Sequence, residues 1–234
     1  MNNRLVCFLF LIFCSSTQAQ QVDIYSYYIP GLIDSTESGV MVDMLYKIKT
    51  STKIDFKLKL LPTKRVQANF INKKIVGYFP ELEENRPKSS CRTDSFMQKN
   101  IIAITRKGDP KVTSIKDLLG KRIGGVKGFS YGNLITKNSD ITLSFVDNDK
   151  KNIKKLLSNR IDVIIGDTHS TINAINETES NAAIYYDLAN PINVIDVFFI
   201  FQNTDKGQNF CKKVSSSIEE LRKSGDLLHW FGYQ

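Results

Sequence analysis

Asn100-Ile-Ile-Ala-Ile-Thr105 and Val194-Ile-Asp-Val-Phe-Phe-Ile-Phe201 are the two stretches that decide how this chain folds. Each is a long apolar run rich in β-branched or aromatic residues, and each reads as a buried strand. The first ends at Arg106-Lys107-Gly108-Asp109-Pro110, a polar cluster of turn residues that reads as a crossing out of one unit. After the second come only helical patterns, Asp205 to Lys223 and then Gly225 to Phe231. The chain thus leaves a first unit near residue 104 and returns to it near residue 195.

Outward from these runs, short apolar strands alternate with amphipathic helices. Val22 to Tyr27 reads as a strand, and Ile75 to Phe79 as another that ends at Pro80. Val40, Met41, Met44, Leu45 and Ile48 recur at helical spacing, so the pattern predicts a helix over Gly39 to Thr50. Ile54, Phe56, Leu58 and Leu60 alternate with polar residues, as a half-exposed strand does. Thr63 to Asn72 reads as a helix, and Glu81 to Gln98 as a long irregular loop. In the second unit, Ser114 with Asp117 marks a helix start and Gly120 its end. Lys121 to Val126 is a strand, Tyr131 to Lys137 a helix, and Asp147 to Ser158 a helix with Ile153, Leu156 and Leu157 inward. Ile161 to Ile165 is a continuous apolar strand of the kind buried on both faces, and Thr168 to Asn176 reads as a helix. This alternation predicts an α/β fold with parallel sheets. The two crossings divide it into a lobe of residues 20–104 plus 196–234 and a lobe of residues 105–195.

The amino terminus points to export. Arg4 precedes ten apolar residues, Leu5 to Cys14, and Ser15 to Ala19 are small or polar. That order is a secretory signal peptide over residues 1–19, with cleavage expected after Ala19. Ten apolar residues are too few to span a bilayer, and no later stretch approaches about 18. Phe13 stands where a lipoprotein signal before Cys14 needs a small residue. Losing Arg4 takes the formal charge from +8 to +7. The lysines are spread along the chain and the expected address is exported, so the surplus reads as a solvated basic surface and no nucleic-acid partner is expected. Cys91 and Cys211 remain, an even pair in an oxidising compartment. They read either as a disulfide or, for Cys211, as a core residue on a helical stripe with Val214, Ile218 and Leu221. No CxxC and no His/Cys cluster occurs, so neither a metal nor a cofactor is expected.

Five segments resemble family 3 periplasmic solute-binding proteins, the amino-acid-binding type. Ser114-Ile-Lys-Asp-Leu-Leu-Gly-Lys-Arg-Ile-Gly-Gly-Val-Lys-Gly-Phe-Ser-Tyr-Gly132 resembles the opening of their second lobe. Leu157-Ser-Asn-Arg-Ile-Asp-Val-Ile-Ile-Gly-Asp167 resembles a later strand of that lobe. Tyr28-Ile-Pro30 and Gly39-Val-Met-Val-Asp43 resemble the start of the first lobe, and Leu227-Leu-His-Trp-Phe-Gly232 the closing helix. The resemblance implies a two-lobed periplasmic binding protein fold of type II, with two crossover hinge strands and a ligand in the cleft.

Several residues are candidates to bind that ligand. Gly128-Phe129-Ser130-Tyr131 lies between a strand and a predicted helix, where free N–H groups favour an anion, and Ser130 adds a hydroxyl. The resemblance makes this turn a grip on a ligand carboxylate. The glycines at 124, 125, 128 and 132 do not form a dinucleotide fingerprint. A guanidinium offers two parallel donors to a carboxylate, and the resemblance points to Arg86. Arg92 stands where the family has phenylalanine and is a rival. Asp167, just past a buried strand, would pair with a ligand ammonium, or cap the next helix. Tyr28 matches the family's cleft aromatic, and Tyr27, Phe79, Phe129 and Tyr131 are further candidates to line the cleft.

A binding protein is the expectation, monomeric, working with an inner-membrane ABC permease or a sensor in the periplasm. An exported enzyme of the cyclohexadienyl dehydratase kind is the alternative on this scaffold. It needs a general acid. Glu81, Glu83, Glu84 and His169 are available, and no residue pattern marks one of them out.

Overall fold

A computed structural model describes residues 21–232. The expected signal peptide, residues 1–19, lies outside the described residues. The first lobe opens with β1 (Val22–Ser26), α1 (Val40–Thr52), β2 (Phe56–Leu60), α2 (Thr63–Ile71), β3 (Gly77–Leu82) and β4 (Ser90–Arg92). The first crossing is β5 (Met97–Arg106). The second lobe holds β6 (Ile123–Val126), α3 (Asn133–Thr136), β7 (Leu143–Val146), α4 (Asp149–Leu157), β8 (Val163–Asp167), α5 (Thr168–Glu177) and β9 (Ile184–Tyr186). The chain returns along β10 (Asn193–Gln202) and closes with α6 (Asp205–Lys223) and α7 (Asp226–Phe231).

The strands form one continuous sheet in the order β2-β1-β3-β10-β5-β8-β6-β7. Within each lobe the short strands pair in parallel, β1 with β2 and β3, β6 with β7 and β8. The two crossing strands run antiparallel to each other over Met97–Ile101 and Asn193–Val197. Beyond that shared stretch they diverge, β10 pairing with β3 and β4, and β5 with β8 and β9.

Packing obeys the strand period. Ile101 and Ala103 point to one face of the second lobe with Val163, Ile165 and Tyr131. Ile102 and Ile104 point to the other with Ile164, Ile153, Leu156 and Ile175. β8 is covered on both sides, which is why its run is apolar without alternation. In the first lobe Phe199 and Phe201 of β10 pack with Ile24, Met41, Met44, Ile48 and Phe56, while Ile200 joins Val66, Phe70 and Tyr78 on the opposite face. Phe79 and Phe199 stack with ring centroids 4.3 Å apart. The change of core falls between Met97 and Ile101 on β5 and between Ile195 and Val197 on β10. On β5 it comes before residue 104, because Ile101 to Ile104 pair with β8.

Local signals translate with some differences. Ser114 and Asp117 form the reciprocal cap, but the turn they start is a short 3-10 helix, Ile115–Leu118. The helix expected from Tyr131 is a single turn that begins only at Asn133, because Tyr131 is drawn into the core. The long loop after β3 contains a 3-10 turn, Glu83–Asn85, and the short strand β4. That strand is fastened to α6 by a disulfide between Cys91 and Cys211, 120 residues apart.

Arg106, at the end of the first crossing strand, donates to the carbonyl oxygens of Leu156 and Ile161 at 2.9 and 2.7 Å. Nearby, Asp162 accepts from the Arg122 backbone N–H at 2.8 Å and from its guanidinium at 2.7 Å. The Arg122 side chain, and then its backbone N–H, hold the Asp162 carboxyl down to about 2.

Two outcomes are expected. A disulfide is typically worth about 2–4 kcal/mol of stability. Replacing Cys91 and Cys211 together by serine should lower the denaturation midpoint accordingly, and an unmoved midpoint would refute that role. A lowered carboxyl contributes stability above its ordinary value of 3.8 and loses it as pH falls through about 2. Asp162→Asn should therefore be less stable at neutral pH, with a shallower loss of stability across that acid window, as read by urea unfolding at several pH values.

Candidate functional site

Two of the candidate residues, Asp167 and Phe129, meet around Lys99, which lies on the first crossing strand. Strand alternation puts Lys99 on the same side of β5 as Ile101 and Ala103, and Asp167 on the same side of β8 as Val163 and Ile165. Their apolar neighbours build one core face, and the two charged residues extend it at the end of the second lobe's sheet. Lys99 Nζ lies 3.4 Å from Asp167 Oδ2, with the side chains 17% and 18% exposed. The ammonium also lies 5.3 Å from the centroid of the Phe129 ring. Asp167 accepts a backbone bond from Ser170 through its other oxygen at 3.3 Å, so it caps α5 as well.

Beneath this pair Asp149 is buried and accepts from the Thr171 hydroxyl at 3.0 Å. Burial pushes its carboxyl up, the Thr171 bond opposes that, and the Asp167 charge adds to the rise. From the first lobe, Glu84 faces the backbone N–H groups of Asn133 and Gly132 and feels the charges of Lys99 and Lys137. Burial raises the Glu84 carboxyl despite these partners. The amino end of α3 therefore meets a carboxylate of the opposite lobe.

Both candidate arginines pair with Glu83. Arg86 closes on Glu83, with Nε 3.1 and 3.2 Å from its two oxygens and Nη2 at 2.8 Å, while Nη1 donates to the Ser90 carbonyl at 3.3 Å. Arg92 Nε reaches the same carboxylate at 3.2 Å, and its guanidinium carbon lies 4.6 Å from the centroid of the Phe198 ring. Hydrogen bonding from Arg86, together with both positive charges, holds the Glu83 carboxyl below its usual range.

The aromatics divide into two sets. Tyr28 and Phe129 are exposed. Tyr27 donates to the Pro80 carbonyl at 2.9 Å, Phe79 is buried against Phe199, and Tyr131 is fully buried with its oxygen receiving the Val126 N–H at 2.6 Å. Tyr27 and Tyr131 both have hydroxyls pushed above the ordinary value, chiefly by burial. Tyr131 and Phe79 serve packing rather than an open cleft wall. Ser130 is half-buried between Phe129 and Tyr131.

Of the carboxylates considered as acids, Glu81 is buried and bonded to Tyr78, Gln67 and the Leu82 N–H, and Glu83 is held by the two arginines. The side chain of His169 lies outside the described residues. A cavity lined by Val42, Leu45, Tyr46, Phe56 and Leu58 lies on the first lobe, and another lined by Phe96, Met97, Asp196 and Arg222 lies beside the crossing strands. Neither is lined by Tyr28, Arg86, Phe129, Ser130 or Asp167. Among the described residues no group of three or more His, Cys, Asp or Glu side chains gathers to hold a metal ion.

Lys99 and Asn193 are not among the residues that sequence patterns mark, and Glu84 is marked only as one acid among several. For Lys99 the signal was available, since a lysine in phase with the inward Ile101 and Ala103 is a charge aimed at the core side of a strand. Asn193 is tied to the site through Gly132. Its amide donates to the Tyr131 carbonyl at 2.9 Å, and a Cβ on Gly132 would stand 2.1 Å from that amide.

No family model matches the chain. The probable amino-acid-binding protein YxeM of Bacillus subtilis (strain 168) is 28% identical over 127 residues, 53% of this chain. The match spans about half of that protein, 47% of its length. Three solved structures cover the chain almost whole. The L-cystine solute receptor of Neisseria gonorrhoeae, in its unliganded open conformation, is 15% identical with a TM-score of 0.65, over 92% of this chain and 94% of that one. The arginine-, lysine-, histidine-binding protein ArtJ of Geobacillus stearothermophilus is 19% identical with a TM-score of 0.60, over 92% and 96%. A histidine kinase sensor domain similar to periplasmic binding proteins is 12% identical with a TM-score of 0.65, over 90% and 94%. The chain has the two-lobed fold of the periplasmic binding proteins, and about half of it resembles a probable amino-acid-binding protein in sequence.

Gly132 has φ 87 and ψ 148, a backbone conformation open essentially to glycine alone. Gly132→Ala should cost about 1–3 kcal/mol of stability from the backbone alone, with the Asn193 clash in addition. Urea unfolding of this variant with and without Asn193→Ala separates the two parts, and wild-type stability would refute both.

Proposed function

We propose that this chain is an exported solute-binding protein that closes its two lobes on a small amino-acid-like ligand and delivers it to an inner-membrane ABC permease. The observation that carries this reading is the half-buried Lys99–Asp167 pair, flanked by the exposed ring of Phe129, at the place where both crossing strands meet the lobes. Opposite charges side by side suit a ligand that carries both charges itself. The named binding roles of YxeM, ArtJ and the cystine receptor point in the same direction. The amino-terminal basic, apolar and small segments support export to the periplasm.

Closure requires tighter binding to the closed arrangement than to the open one. Two paired strands are a suitable hinge, because a few of their residues can absorb the backbone change of closure. The chain works as a monomer in this reading. A sensory role is the second reading, favoured by the likeness to a histidine kinase sensor domain. Ligand capture is common to both.

Thermal unfolding in the presence of each of the common L-amino acids tests the reading. A ligand at 100 times its Kd adds about 2.7 kcal/mol to stability. At least one amino acid should raise the melting temperature of the wild type, and Asp167→Ala should abolish that rise. No rise with any amino acid would overturn the proposal.

A further inference from the structure

We propose that the outer face of α4, with the sheet edge beside it, is a docking surface for an anionic phospholipid bilayer. Docking of this kind is separate from ligand capture and holds whichever solute the cleft takes.

The first ground is the pattern of α4. Asp149, Asn152, Ile153 and Leu156 are buried, so the helix turns its other side outward. That side carries Lys150, Lys151, Lys154 and Lys155, and the helix has no acidic residue besides the buried Asp149. Lys150 and Lys154, and likewise Lys151 and Lys155, are like charges four residues apart, a spacing at which they repel across one helical turn. Lys150 and Lys151 also stand in the first turn, where the helix dipole disfavours positive charge. The longest helix is built differently, since α6 sets Glu219 against Arg222 and Lys223. A face that keeps its self-repulsion suits a polyanion, which relieves it.

The second ground is what the fold adds to the helix. Lys127, just after β6, lies 3.6 Å from Asp147, which also takes Lys151, so its charge joins the amino end of α4. Lys155 Nζ donates to Ser144 Oγ at 2.8 Å and ties the helix to β7, the last strand of the sheet. Arg160 follows the helix and is exposed. Among the described residues, the carboxylates that pair with these six cations are Asp147 and Glu177, the latter 2.7 Å from Lys150. Positive charge therefore outnumbers negative along the whole flank.

The third ground selects the occupant. A helix of this length spreads its charges over about 14 Å. Neither cavity described above is lined by them. Cations spread over an outward helix face, with no pocket to enclose one small anion, match a surface of many separate anions. Lysines this close act together, because the screening length at physiological salt is about 8 Å. Leu157 on the helix and Phe145 on β7 are 42% and 46% exposed, and apolar side chains among lysines suit the headgroup region of a bilayer. An acidic protein surface would answer the lysines and leave these two without a role.

Vesicle flotation tests this. The probes are vesicles of phosphatidylcholine alone and of an equal mixture of phosphatidylcholine and phosphatidylglycerol. One variant carries Lys150→Gln, Lys151→Gln, Lys154→Gln and Lys155→Gln together. A control of equal charge carries Lys206→Gln, Lys212→Gln, Lys213→Gln and Lys223→Gln on α6. Each lysine close to an anionic bilayer strengthens partitioning by about fivefold. The wild type should float with the mixed vesicles and not with phosphatidylcholine, and added salt should release it. The α4 variant should partition about 100-fold more weakly or worse, and the α6 variant should stay close to the wild type. Lys154→Glu, a single change at an exposed position, should weaken partitioning by at least about fivefold, and it decides the matter should the fourfold variant fail to fold. No flotation of the wild type with the mixed vesicles, equal flotation with both kinds, or an equal loss in the α4 and α6 variants overturns the inference and leaves ligand capture untouched. Retention of the wild type by poly-glutamate but not by the mixed vesicles would assign the face to an acidic protein and overturn the bilayer.

Discussion

The antiparallel pairing of Met97–Ile101 with Asn193–Val197 is the constraint on which the rest depends. It makes one sheet out of what would otherwise be two, and it is the bridge between cores of opposite lobes. On one side of it Val197, Phe199 and Phe201 belong to the first lobe, and on the other Ile101, Ala103 and Ile195 belong to the second. A strand that changes core within a few residues has to be apolar on both sides of the change. The polar residues Gln98, Lys99 and Asn100 therefore cluster at the change itself, the part with least core to fill. The same local weakness in apolar packing that makes a hinge also makes room for charge.

Electrostatics near this bridge depend on who reaches whom. Glu83 collects two arginines on the first lobe, so both Arg86 and Arg92 are engaged there. The second lobe brings Asp167 and Asp149 to the ends of its elements, and Lys99 is the cation that answers them. Glu84 approaches the amino end of α3 from across the cleft, where backbone N–H groups are unpaired by the helix itself. These charged groups lie beside the exposed ring of Phe129. The disulfide works elsewhere, pinning β4 and the loop that carries Arg86 and Glu83 against the carboxy-terminal helix α6.

Much of this was legible in the residues. The helical spacing of Val40 to Ile48, the unbroken Ile161–Ile165 run and the two long apolar crossings predict the elements and their order, because side-chain periodicity is a local property that burial enforces. The Gly128–Tyr131 turn was legible as a turn. Its extent as a helix was not, since Tyr131 is pulled inward to receive the Val126 N–H and the helix waits for Asn133. The Ser114–Asp117 cap was legible too, though the element it starts is only a short turn.

The sequence by itself determined an α/β chain crossed twice by buried strands, because hydrophobic period and turn chemistry act within a few residues of each other. Only the tertiary structure decided that Arg86 faces Glu83, that Lys99 meets Asp167, and that Glu84 reaches α3. The first of these is a choice among neighbours in one loop, which spacing does not resolve. The other two join residues about 50 to 70 positions apart, brought together only when strands pair. Ion pairs have no period. Their partners are chosen by distance and dielectric in the folded chain, and those come into being with the fold.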